Sequence, residues 1–133
     1  MTDHDRQKLA GVHPALIAAL EKVFAALAAL GYTLTVTDGL RTTEQQQALY
    51  AKGRTAPGPI VTNADGVLHR SNHQAHADGF GHAADCAFRL PDGTVSWDAR
   101  LPWKAYGACA AALGVHWGGD WQALHDLPHL ELP

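Results

Sequence analysis

Residues 71–88 read SNHQAHADGFGHAADCAF, and their character changes partway along. The first part is polar and glycine-containing, as loops are; from Ala83 to Leu90 the chain turns small and apolar and reads as a strand. His73, His76, Asp78, His82 and Asp85 all fall within this passage. Imidazole nitrogens and carboxylate oxygens are the donors of zinc-type metal sites, and a loop running into a strand can offer one ligand from the loop and hold another rigidly on the strand.

Working outward, Pro91-Asp92-Gly93 is a tight turn and Thr94–Trp97 its return strand, so a hairpin follows the histidine-rich passage. Upstream, residues 54–81 are rich in Gly, Pro, Asn and His and are long for a structureless connection, which marks a functional loop. Before that loop, Pro14 suits a first helical turn, Leu16, Leu20, Phe24 and Leu27 recur at helical spacing, and Gly31 ends the run. Tyr32–Thr37 alternates with period two as a strand, Asp38-Gly39 turns, and a second helix is expected from Thr43 to Lys52 behind a threonine cap. A third helix is expected from Asp98 or Leu101 to Leu113, stopped by Gly114, and Val115–Trp117 and His129–Leu132 read as two last short strands. The 133 residues make one α+β domain spanning 1–133, with no internal repeat, and a monomer is expected.

Composition excludes several classes. With 47% apolar and 17% charged residues the chain is an ordinary soluble globular sequence. A net charge of -3, with no run of Lys or Arg, gives no footprint for nucleic acid or anionic lipid. No apolar stretch approaches the roughly 20 residues of a membrane span, so no membrane insertion is expected, and the polar start MTDHDRQKLAG is not a secretion signal. Cys86 and Cys109 are too few for a disulfide scaffold and read as small buried apolar residues.

Nine histidines in so short a chain, seven of them from His69 onward, stand out. Beyond the 71–88 passage, three places carry polar chemistry. Arg41 sits where a strand hands over to a helix; it either pairs with a surface carboxylate or uses its donors to clamp a carboxylate or a developing oxyanion. In HDLPHLEL, Asp126 lies three residues before His129, where it could take a proton from water on a metal; a solvated turn is the alternative. In WGGDW, Gly118 and Gly119 permit unusual backbone geometry and Asp120 could brace the turn.

In order along the chain, GLRTTEQQQALY (39–50) resembles a GYRS-x-x-x-Q-x-x-LY signature, SNH with GHAAD resembles an SxH…GxAxD zinc motif, and WGGDW followed by DLPHLEL resembles a closing DxxH segment. Together they resemble the M15 metallopeptidases, the D,D-carboxypeptidase family, and most closely its short L-alanyl-D-glutamate endopeptidases, the phage endolysin-like branch. That resemblance implies a hedgehog/D,D-peptidase fold: a small, mainly antiparallel sheet packed by helices, with one zinc site. It implies His73, Asp85 and His129 as zinc ligands, Asp126 as general base and Arg41 as the residue that stabilises the substrate carbonyl. Ser71, Asp120 and Glu131 are the candidates for orienting the ligands. Two departures stand: His73 and Asp85 are twelve apart where the family commonly has seven, which keeps His76 as an alternative ligand, and Leu40 replaces the usual Tyr.

The implied activity is zinc-dependent hydrolysis of peptidoglycan stem peptides by attack of zinc-bound water, at the L-Ala/D-Glu bond in the endolysin-like reading. A D,D-carboxypeptidase, or a zinc-containing wall-binding domain without catalysis, are the alternatives; a histidine-rich metal buffer is a third, and would bind several ions with little need of Asp85. Without a secretion signal or a separate wall-binding module, a protein made in the host cytoplasm and released to the wall through a holin is the expected biology.

Overall fold

The computed structural model describes residues 1–133. Helix α1 covers Asp3–Lys8, α2 Pro14–Ala29, β1 Thr33–Asp38, α3 Thr43–Ala51, β2 Ala83–Arg89, β3 Val95–Ser96, α4 Trp103–Ala112, β4 His116–Trp117 and β5 His129–Glu131, with a 3-10 turn at Gly118–Asp120. The strands form one antiparallel sheet in the order β1-β2-β5-β4, and β3 pairs with the outer end of β2. This is the α+β arrangement that the sequence predicts.

Period-two alternation gives the sheet two unlike faces. Ala84, Cys86 and Phe88 of β2, Leu34 and Val36 of β1 and Leu130 of β5 belong to one core with Leu16, Leu20, Val23 and Leu27 of α2 and Trp103, Tyr106 and Ala110 of α4. Asp85, His129 and Glu131 take the intervening positions, so the same alternation that builds the core aims them at the other face. There they lie under α3 and the long 52–82 connection, which contains no helix or strand.

Helix α1 is not legible from apolar periodicity; its six residues are all polar. It forms because Thr2 and Asp5 make a capping box, the Thr2 hydroxyl accepting from the Asp5 N–H and the Asp5 carboxylate accepting from the Thr2 N–H. The buried Asp5 carboxylate also accepts from Val36 N at 2.8 Å and Thr35 Oγ1 at 3.0 Å, fastening α1 to β1. Cys86 is buried as expected, whereas Cys109 is only partly so, and both are free thiols. No helix is long and apolar enough to cross a membrane.

Two buried glutamines hold the long connection down. Gln46 of α3 donates to Thr62 Oγ1 and Ala64 O, and Gln74 donates to Thr43 Oγ1 and Gly66 O. Backbone groups in a segment without regular structure need such partners when they are removed from water.

Candidate metal centre

Asp85 on β2 and His129 on β5 are direct cross-strand partners, so sheet register alone brings them side by side. His73 comes from the long connection, and its backbone is clasped to the β1–α3 junction: Arg41 N donates to His73 O at 2.9 Å, and the His73 ring donates from Nδ1 to Gly39 O at 2.8 Å. The segment bearing His129 is pinned at successive residues. Asp126 N donates to Gly118 O, Trp117 Nε1 to Leu127 O, and both Tyr106 Oη and Cys86 N to Pro128 O. Gly118 is needed there, because a Cβ would lie 2.5 Å from Asp126 O. Gly107 and Gly119 leave room for the Trp117 ring in the same way.

The three ligand atoms form a near-equilateral triangle. His73 Nε2 is 3.2 Å from His129 Nδ1 and 3.3 Å from Asp85 Oδ1, and His129 Nδ1 is 3.1 Å from Asp85 Oδ1. The edge of a tetrahedron with zinc–ligand bonds of about 2.0–2.1 Å is about 3.3–3.4 Å, so the donor set fits zinc without rearrangement. Proton placement points the same way. The outward N–H of His73 is spent on Gly39 O, and His129 Nε2 donates to Glu131 Oε2 at 2.7 Å, so the two inward nitrogens are the ones left for a metal, and without one a proton on His129 Nδ1 bonds to Asp85 in its place. Three lone pairs at such distances repel unless a proton or a metal cation lies among them.

The electrostatics are those of a cation site. Burial opposes charge on Asp85, but its hydrogen bond with His129 and the adjacent His73 ring outweigh burial and hold the carboxyl well below the usual range. Burial likewise opposes charge on His129, but Asp85 and Glu131 override it and push the imidazole up to about 9. Glu131 is held below its ordinary value against its own burial by His129 and by Asn72, whose Nδ2 donates to the same Oε2 at 2.9 Å.

Asp126 Oδ2 stands 3.9 Å from His129 Nδ1, close to the triangle but outside it. Burial, then the charge of Asp85, raises its carboxyl above the usual value, a direction that favours proton uptake. Arg41 also reaches the site: its NH2 lies 3.9 Å from Asp85 Oδ2. The guanidinium is held by Asp38, which accepts from Nε and NH2, and by Gln46 Oε1, which accepts from NH1 at 2.7 Å. Arg41 thus pairs with the Asp38 carboxylate and also borders the metal site. All of this opens into a cleft of about 720 Å³.

The structure therefore brings His73, Asp85, His129, Asp126, Arg41 and Glu131 together. Ser71 also lines the cleft, but its hydroxyl accepts from His73 N and shapes the turn, leaving the ring to Gly39. Asp120 does not line the cleft: its side chain makes no hydrogen bond or ion pair and borders a separate cavity with Trp117 and α4. His76 stands apart from the triangle, stacked on His82 with ring centroids 3.8 Å apart. The longer His73–Asp85 spacing has a simple form: an Ala75–Gly81 bridge closes residues 76–80 into a turn of their own, braced by His82 Nε2 donating to Asp78 Oδ2 at 2.7 Å. The extra residues bulge outward while both ligands stay in place. Sequence reasoning did not find Asp38, Gln46 or Asn72; only Gln46 carried a signal, as the Gln of the 39–50 motif.

A family model described as D-alanyl-D-alanine carboxypeptidase matches residues 66–132, a span containing the triad and Asp126. The chain is 35% identical over 129 residues to the peptidoglycan L-alanyl-D-glutamate endopeptidase CwlK of Bacillus subtilis, covering 91% of this chain and 73% of that protein. Among solved structures it superposes on the L-Ala D-Glu endopeptidase ChiX of Serratia marcescens with a TM-score of 0.71 and 25% identity, over 100% of this chain and 89% of the other. The vancomycin-resistance D,D-pentapeptidase VanY, solved with Zn(II), shares the fold with a TM-score of 0.62 at 18% identity, over 91% of this chain and 72% of that one. With the donor geometry and these relatives in agreement, the chain belongs to the M15 family of zinc metallopeptidases.

Proposed function

We propose that this protein is a peptidoglycan peptidase that hydrolyses the bond between L-alanine and D-glutamate in the stem peptide. The observation that carries the reading is that His73, Asp85 and His129 converge as a metal-sized donor set, with the Asp126 carboxylate 3.9 Å from His129 and an open cleft that they all line. His73, Asp85 and His129 would hold a zinc ion, which when bound would supply Lewis acidity to an amide carbonyl and lower the pKa of water to about 7. Asp126 takes the proton of the attacking water at a carboxylate oxygen and delivers it to the leaving amine. Arg41, braced by Asp38 and Gln46, donates to the carbonyl oxygen as charge builds there. Glu131 and Asn72 keep His129 in the tautomer that points its lone pair inward.

The choice of bond is supported by CwlK and ChiX, both named for L-Ala/D-Glu cleavage. The matching family description names a D-alanyl-D-alanine carboxypeptidase, which makes removal of a terminal D-alanine the second reading. A wall-binding domain without catalysis has no use for a base beside an open metal position. An endolysin-like role, with release through a holin, belongs to the same proposal, and co-expression with a holin in a lysis assay tests it.

The decisive experiment is digestion of purified muropeptides followed by mass spectrometry, with Asp126→Ala alongside. Expected are stems cut between L-Ala and D-Glu, one zinc per chain in parent and variant, and turnover in the variant reduced about 10²–10⁴-fold. Loss of a terminal D-Ala alone would move the assignment to the carboxypeptidase, and an Asp126→Ala protein as active as the parent would remove Asp126 from the mechanism.

A further inference from the structure

The leaving side of the cleft carries a carboxylate that binds no metal, Asp126, and the substrate is acidic there too. Asp85, Asp126 and Glu131 all border the cleft, and a D-glutamyl residue keeps one carboxyl outside the peptide chain, ionised at neutral pH. If the bond is cut as proposed above, on which this inference rests, that residue is the leaving group. Its amine takes a proton from Asp126, so its free carboxylate comes to the neighbourhood of the Asp126 carboxylate. With a metal on the triad and Arg41 beside Asp85, the charge that Asp126 brings to the leaving side is the one still without a nearby cation among the ligands.

Apart from the metal-binding histidines, only Arg41 and His125 among the cleft-lining residues can carry positive charge. Arg41 is already engaged with Asp38 and Gln46 and reaches into the metal site beside Asp85. His125 is different in each respect. It is exposed, it directly precedes Asp126 in the chain, and its ring is oriented by Nδ1 donating to Gly119 O at 3.1 Å, which leaves Nε2 free for a ligand. The residue before it, Leu124, has φ of 49°, the one non-glycine residue with positive φ in the chain. Backbone strain of this kind persists where the surroundings impose it, and the next two residues are held by Gly119 O on the His125 ring and Gly118 O on Asp126 N.

We infer that His125 is a specificity residue: as an imidazolium it donates from Nε2 to the free carboxylate of the D-glutamyl residue on the leaving side of the cut. With Nδ1 already donating to Gly119 O, a second donation from Nε2 is made by the doubly protonated ring alone. The contact offsets the repulsion that Asp126 would otherwise exert on an acidic leaving group.

The test compares two synthetic stem peptides, identical except that the glutamyl carboxyl is free in one and amidated in the other, at pH 6.5. The readout is the ratio of kcat/KM for the acidic stem over the amidated one, in the zinc-loaded parent and in His125→Gln and His125→Lys. The parent should favour the acidic stem; in His125→Gln the ratio should fall about tenfold, chiefly through KM, and in His125→Lys it should stay near the parent's. A ratio of one in the parent, or a ratio unchanged in His125→Gln, overturns this inference while leaving the bond assignment intact. A parent that cuts neither stem between L-Ala and D-Glu overturns the bond assignment itself.

Discussion

Glu131→Ala isolates the part of the metal site that lies behind the ligands. The Glu131 carboxylate accepts His129 Nε2–H at 2.7 Å and Asn72 Nδ2–H at 2.9 Å on the same oxygen. Truncation leaves a donor of the buried His129 ring without a partner, which costs about 1–3 kcal/mol. It also releases the tautomer: nothing then keeps the ring proton on Nε2, and a proton on Nδ1 occupies the position the metal needs. Loss of an outer partner of a ligating histidine typically weakens metal binding about 10–100-fold, which is about 1.4–2.7 kcal/mol and agrees with the hydrogen-bond figure. The assay is competition for zinc against a chromophoric chelator, with Glu131→Gln as the companion because an amide oxygen can still accept from Nε2. Expected is a 10–100-fold loss for the alanine variant and a markedly smaller one for the glutamine. Zinc affinity for Glu131→Ala within twofold of the parent would refute the claim that Glu131 sets the His129 tautomer.

Acidity should compete with the metal. In the metal-free protein His129 titrates at about 9, so near pH 7 the ring holds a proton that zinc must expel. Apparent zinc affinity should rise about tenfold per pH unit between pH 6 and 8 and level off near 9, with about one proton released per zinc at pH 7 by calorimetry in two buffers; binding without proton release would contradict the charged state of His129. Where α1 is fastened to β1, Asp5→Ala should cost about 2–4 kcal/mol, read as a lower urea midpoint, because it strands the Val36 N–H and the Thr35 hydroxyl. Burial opposes the Asp5 charge, but hydrogen bonds from Thr2, Val36 and Thr35 outweigh it and hold the carboxyl below its ordinary value. Its contribution is therefore present above the unfolded value of about 3.9 and is lost as pH falls through the native one, so the gap between parent and variant should narrow in acid. A gap unchanged from pH 7 to pH 2 would assign the loss to something other than the charge.

What could be read from the residues alone follows from how far each signal reaches along the chain. Leu16, Leu20 and Leu27 mark α2 because a core face repeats locally, and the alternation around Val36 and Cys86 marks the central strands for the same reason. Helix α1 escapes that reading because its stability comes from a Thr2–Asp5 box and a tether to β1 some 30 residues away. Asp120 misleads in the opposite sense: two residues from Gly118, it lines a different cavity, and no local pattern tells which residues of a turn face the metal. Motif order brings His73, Asp85 and His129 forward as candidates, but their convergence is a property of register and clasping. A slip of one residue between β2 and β5 would turn either Asp85 or His129 toward the core face, where Ala84 and Leu130 now sit. The anchors against that slip are ordinary structural groups: the Tyr106 hydroxyl and Cys86 N–H on Pro128 O, and the Trp117 indole on Leu127 O. The metal geometry is thus maintained from the hydrophobic side of the sheet, and core residues that never touch the ion decide whether its three donors stay within a bond length of one point.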